Sequence, residues 1–125
     1  MHNNLKNEES SLLEIKANLI QVLGLVGGKW KLIILLFLLD YRTLRFSDLK
    51  EKVGITPSVL TSQLRELESV GLIHREFFDK GQRHVEYTIS DKAVNLKEVI
   101  NVLNLWWSKE GCFIKGSELD IERSE

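Results

Sequence analysis

Between Phe46 and Ser90 the hydrophobic period of the chain is helical, helical again across a glycine, and then two-residue, and few folds accommodate that order. The stretch reads FSDLKEKVGITPSVLTSQLRELESVGLIHREFFDKGQRHVEYTIS. Phe46, Leu49 and Val53 fall at spacings of three and four, on one face of a first helix that Ser47 is placed to cap. Gly54 supplies a residue that enters the left-handed region and stops it. Thr56 and Pro57 then start a second helix, with a capping hydroxyl followed by a proline that needs no N–H. Leu60, Leu64 and Leu67 form its buried stripe, and Ser58, Thr61, Ser62 and Arg65 its opposite face. Short hydroxyls and one guanidinium on an outward helix face, after a glycine-containing turn, suit insertion into a DNA major groove.

The next piece strengthens that reading. After Gly71 the run Leu72–Phe78 is apolar and aromatic, and Val85, Tyr87 and Ile89 alternate with Glu86, Thr88 and Ser90. The connection between them carries Lys80, Gln82, Arg83 and His84. A hairpin with a cationic tip behind a groove-reading helix is a wing, expected to meet the phosphate backbone or the adjacent minor groove. Leu44-Arg45-Phe46 is placed to add a short third strand.

Residues 1–10 read as a flexible polar leader. Leu12, Leu13, Ile15, Leu19, Ile20 and Leu23 then describe an amphipathic helix ending near Gly27-Gly28, whose broad apolar face suits either packing within the domain or a subunit interface. The next helix runs from Lys29 to about Leu39, with Trp30, Ile33, Ile34, Phe37 and Leu38 directed to the core and Lys29 and Lys31 within reach of a phosphate. The last helix begins at the capping pair Ser90-Asp91 and runs to about Ser108. It is apolar on more than one side, and the adjacent Trp106 and Trp107 point about 100° apart. One core cannot cover both sides. The expected fold is therefore mainly α with a small β-wing (α+β): a winged helix-turn-helix over residues 11–109. It forms a homodimer through the helices at its two ends, with Leu12, Leu19, Leu23, Val99, Leu103, Trp106 and Trp107 in the interface. Residues 110–125 are an acidic C-terminal tail.

At 125 residues the chain has room for one ordinary core. Its formal charge of −1 is not that of an obvious polyanion binder, but the charge is uneven. Gly27–Lys92 holds two more Lys/Arg than Asp/Glu, and Lys109–Glu125 two fewer. Such a distribution permits DNA binding with a marked salt dependence. The single cysteine, Cys112, excludes an internal disulfide framework; with no signal-peptide pattern at the start, this fits the cytoplasm. The most apolar run, Leu32–Leu39, is far shorter than the ~20 residues of a membrane span. His2, His74 and His84 have no metal-motif spacing, and neither a phosphate-cradling glycine loop nor a nucleophile elbow is present. No enzymatic role, metal or cofactor is expected.

Several ordered blocks resemble the HxlR-type winged helix-turn-helix regulators. They are Gly27-Gly28-Lys29-Trp30, Phe46-Ser47-Asp48-Leu49, Ile55-Thr56-Pro57 with Val59-Leu60-Thr61, Leu64-Arg65-Glu66-Leu67-Glu68, and Val85-Glu86-Tyr87. The likeness spans roughly Leu23 to Trp107. It implies a bacterial-type transcription factor that dimerises through its terminal helices and binds an inverted-repeat operator near its own or a neighbouring promoter; the expected role is that of a repressor. Base edges would be met by Ser58, Thr61, Ser62 and Arg65, and phosphates by Lys29, Thr56, Lys80, Gln82 and Arg83. Many members carry a redox-sensing cysteine some ten residues before the Gly-Gly pair, where this chain has about Ala17. The groove-reading helix, with Ser58, Ser62 and Gln63, is also less basic than is common in the family. Two further readings stand beside this one: a winged-helix protein-interaction module that does not touch DNA, and a small apolar effector, of unknown identity, held near Trp30, Trp106 or Trp107.

Overall fold

The computed structural model describes residues 2–110, and the side-chain environments of residues 7–109. The acidic tail and Cys112 lie outside the described residues. Helix α1 spans His2–Val26, α2 Lys31–Tyr41, α3 Phe46–Val53, α4 Pro57–Ser69 and α5 Leu96–Glu110; strands β1 (Thr43–Arg45), β2 (Ile73–Phe78) and β3 (His84–Ile89) complete the set. By its contacts the chain divides after Ala93 into two units.

In the first unit, β3 pairs antiparallel with both β1 and β2, giving the order β1-β3-β2. The register sets Leu44 opposite Tyr87, and Arg75 opposite Tyr87 from the other side. Thr43 and Thr88, paired across the strands, join their hydroxyls at 2.9 Å. The core lies where α2, α3 and α4 meet this small sheet: Ile34, Leu35, Leu38, Leu49, Leu60, Leu67 and Ile73 are fully or almost fully buried. Trp30, Ile33 and Phe37, expected in that core, are only half-buried, while Leu35 takes an inner position.

The helix ends follow local chemistry. Gly54 has φ 77° and its N–H donates to the Lys50 carbonyl at 2.9 Å, closing α3. Thr56 caps α4, its hydroxyl accepting from Val59 N–H at 3.4 Å, with Pro57 in the first turn. Gly71, at φ 79°, turns the chain from α4 into β2.

Four boundaries differ from the sequence expectation. Helix α1 starts at His2, inside the stretch read as a leader. α2 starts at Lys31, and Trp30 rather than a polar residue stands at its cap. Ser47 does not cap α3: the extended Arg45 occupies the cap position, without a side-chain bond, because β1 runs directly into the helix. Ser90 does not open the last helix either. Its hydroxyl donates to the Gly71 carbonyl at 2.7 Å, a short 3-10 turn follows at Asp91–Ala93, and α5 begins only at Leu96.

α5, in the second unit, has Val99, Val102, Leu103, Leu105, Trp106 and Trp107 exposed, the two indoles 6.2 Å apart between centroids. α1, in the first unit, exposes Leu12, Ile15, Leu19, Ile20 and Leu23. No single helix among the described residues is long and apolar enough to cross a membrane. α1 from Asn7 and α2 meet the length and composition requirement only as a pair bent by 76°. The inner face of α2 is core.

Replacing Leu64, 1% exposed, by alanine is expected to cost about 2–5 kcal/mol of unfolding free energy in a urea titration. Ser62→Ala, on the opposite face, is expected to change it by less than about 0.5 kcal/mol. Equal losses would contradict the orientation of α4.

Candidate nucleic-acid interface

The site is built on α4, whose rotation is set by its leucines. With Leu60, Leu64 and Leu67 inward, Ser58, Ser62 and Arg65 are exposed and Thr61 is half-exposed on the other face. Pro57, Ser58, Thr61, Ser62 and Arg65 line one shallow depression along that face. Two contacts fix the helix against its surroundings. Lys31 Nζ, on a side chain only 13% exposed, pairs with Glu66 Oε2 at 3.0 Å, tying α4 to α2. At the C-terminal end Lys92 Nζ donates to the Val70 carbonyl at 3.1 Å, beside the Ser90–Gly71 bond.

The hairpin connection is ordered by its own side chains. Phe78 and His84, at the closing pair of the ladder, stack with centroids 4.9 Å apart and planes within 8°. His84 Nδ1 lies 2.8 Å from the Gln82 carbonyl oxygen, which can only accept, so Nδ1–H donates there. Nε2 lies 2.7 Å from Glu86 Oε2. Arg83 is held by Asp79, Nε to Oδ1 2.9 Å, and its guanidinium carbon sits 5.7 Å from the Phe77 ring centroid. That ion pair is largely in solvent, where screening leaves it weak and exchangeable for a phosphate.

Between α4 and the hairpin lies a cleft of about 680 Å³. Thr61 and Arg65 reach it from α4, and Gln82 and Arg83 from the hairpin connection. Arg45, at the end of β1, and Arg75, on β2, line it too. Sequence patterns do not single out these two. Arg75 shares a sheet face with Tyr87, a relation visible only once the β2–β3 register is known.

The remaining residues expected at the site from sequence are dispersed. Lys80 is exposed at the tip of the hairpin but is not among the cleft residues. Thr56 accepts the α4 cap bond with its hydroxyl oxygen, which leaves the O–H to donate. Lys29 precedes α2, with its ammonium 4.9 Å from the Trp30 ring centroid, and Lys31 is committed to Glu66. Among the described residues no group of three or more His, Cys, Asp or Glu side chains is arranged to hold a metal ion.

A helix-turn-helix (α3, Gly54, α4) followed by a hairpin that β1 extends to three strands defines the winged helix-turn-helix class of transcriptional regulators. Residues 25–112 match the HxlR-like helix-turn-helix family, and the chain belongs to that family. An uncharacterised HTH-type transcriptional regulator of Halalkalibacterium halodurans is 41% identical over 88 residues, covering 70% of this chain and 78% of its own. YdzF of Bacillus subtilis, likewise an uncharacterised HTH-type transcriptional regulator, is 39% identical over 90 residues, covering 71% and 83%. Among solved structures, the redox regulator HypR in its reduced form is similar with a TM-score of 0.68 at 30% identity, covering 78% of this chain and 96% of that one. The protein is thus a transcriptional regulator, and the relatives are described as regulators rather than enzymes.

Removing the carboxylate that occupies Arg83 tests the electrostatics of the hairpin. Asp79→Asn is expected to tighten binding to any duplex several-fold at low salt, with the gain fading as salt rises, in a fluorescence-anisotropy titration. Unchanged or weaker binding would show that Arg83 does not face the polyanion.

Proposed function

We propose that this chain is a sequence-specific DNA-binding repressor that occupies an inverted-repeat operator as a homodimer. The observation that carries the proposal is the outward polar face of α4 standing directly beside the arginine-lined cleft of the hairpin. Ser58, Thr61 and Ser62 offer short donors and acceptors to base edges, and Arg65 has the fork that matches guanine O6 and N7. Lys80, Gln82 and Arg83 hold phosphates from the wing, and Thr56 and Lys29 do so near the starts of α4 and α2. A net charge of −1 is no obstacle, since phosphates are met by the local cation arrangement.

The dimer rests on the apolar faces of the terminal helices. Leu12 (66% exposed), Leu19 and Leu23 on α1, and Val99, Leu103, Trp106 and Trp107 on α5, leave more apolar surface in water than a soluble monomer ordinarily tolerates. A second copy covers it by the same residues, as two-fold symmetry requires. Two copies of α4 related by that dyad address half-sites about one helical turn, ~34 Å, apart.

Arg65→Ala is expected to cost about 1–3 kcal/mol on the selected operator and to relax sequence preference, whereas Arg83→Ala weakens all sequences alike. Mobility-shift titrations on operator and random duplex read both. Unchanged affinities in both variants, or no duplex binding by the wild type, would overturn the assignment and favour an interaction module. For the dimer, Leu19→Glu and Leu103→Glu are each expected to give a monomer by light scattering; a wild-type monomer would refute it.

A further inference from the structure

A recognition helix in the major groove and a wing in the neighbouring minor groove are separated by one sugar–phosphate strand. If α4 and the hairpin of this chain take those two grooves, that strand has to run between them. What lies between them is the cleft lined by Arg45, Arg65, Arg75 and Arg83, with Glu68 as its carboxylate. We infer that this cleft is the seat of the phosphodiester strand, and that Arg45 and Arg75 bind its phosphates. The inference rests on the DNA-binding reading and adds two residues which that reading does not use.

The charge arrangement supports it. Four arginines and one glutamate line a cleft of about 680 Å³, and like charges brought near one another repel. Among the described residues Arg83 has the exposed Asp79 as partner, while the side chains of Arg45, Arg65 and Arg75 form no ion pair or hydrogen bond. None of these three has a carboxylate or carbonyl partner that would commit its charge within the fold. Their planar forks match the two free oxygens of a phosphodiester.

The positions are also rigid. Arg75 sits mid-strand on β2, opposite Tyr87 of the central strand. Arg45 ends β1, opposite Glu86, and stands at the cap of α3. Both are therefore carried on paired backbone, unlike Lys80 at the hairpin tip. The chemistry recognised is the duplex backbone and not base sequence, so these residues set affinity and register for every sequence alike.

The test uses the full chain and a random-sequence duplex. Arg45→Gln and Arg75→Gln are each expected to weaken binding several-fold and to reduce the slope of log affinity against log salt by about 0.9 per bound chain. Lys97→Gln, on α5, is expected to leave both unchanged. Phenylglyoxal labelling of the wild type, read by mass spectrometry, is expected to modify Arg45 and Arg75 in the free protein and to spare them in the complex. This second readout needs no variant to fold. If the wild type binds duplex and Arg83→Ala weakens it, yet both Gln variants keep the wild-type slope, the cleft is not the seat and the DNA-binding reading stands. Labelling of Arg45 and Arg75 undiminished by duplex would likewise rule out the cleft as the seat. If the wild type does not bind duplex at all, both readings fall.

Discussion

The rotation of α4 about its own axis is the constraint on which the rest of the molecular surface depends. Leu60, Leu64 and Leu67 are at most 1% exposed, and no other face of the helix can supply the core. Once that stripe is inward, the positions of Ser58, Thr61, Ser62 and Arg65 follow from the helical period. The Lys31–Glu66 pair and the bonds of Ser90 and Lys92 to the end of α4 then act on a helix already oriented. They tie it to α2 and to the chain that follows it.

The same packing explains how a chain with formal charge −1 carries a cationic site. Arg45, Arg65, Arg75 and Arg83 lie up to 38 residues apart in the chain, and Arg65 and Arg75 are each followed directly by a glutamate. Antiparallel pairing brings β1 and β2 to either side of β3, and α4 packs against that sheet, so the four converge. Long-range potential is set by such local arrangements and not by the sum over the chain.

Much of the fold is legible in the sequence because its signals are local. Leucines at helical spacing, Gly54 and the Thr56-Pro57 start each act within one turn of chain, and a short third strand is expected at Leu44-Arg45-Phe46, one residue from where β1 lies. Ser47 misleads because capping is judged there without knowing that β1 enters α3 directly, which gives the cap position to Arg45. Ser90 misleads for a related reason: its hydroxyl has a tertiary partner, Gly71, 19 residues away. The face of α4 is readable for the same reason that its leucines are. Arg45 and Arg75 are not, since β2 shows little alternation of burial and which of its residues turns toward α4 depends on register. The apolar faces of α1 and α5 are visible as patterns, but a pattern does not name what covers it.

The central claim is that α4 and the hairpin together form the surface that meets duplex DNA. Residue-resolved NMR of the labelled full chain, titrated with duplex, tests it most directly. Amide shift changes are expected to concentrate at Ser58, Thr61, Ser62 and Arg65 and at Lys80, Gln82 and Arg83, with α1 and α5 little affected. Changes confined to α1 or α5, or no change at saturating duplex, would contradict it.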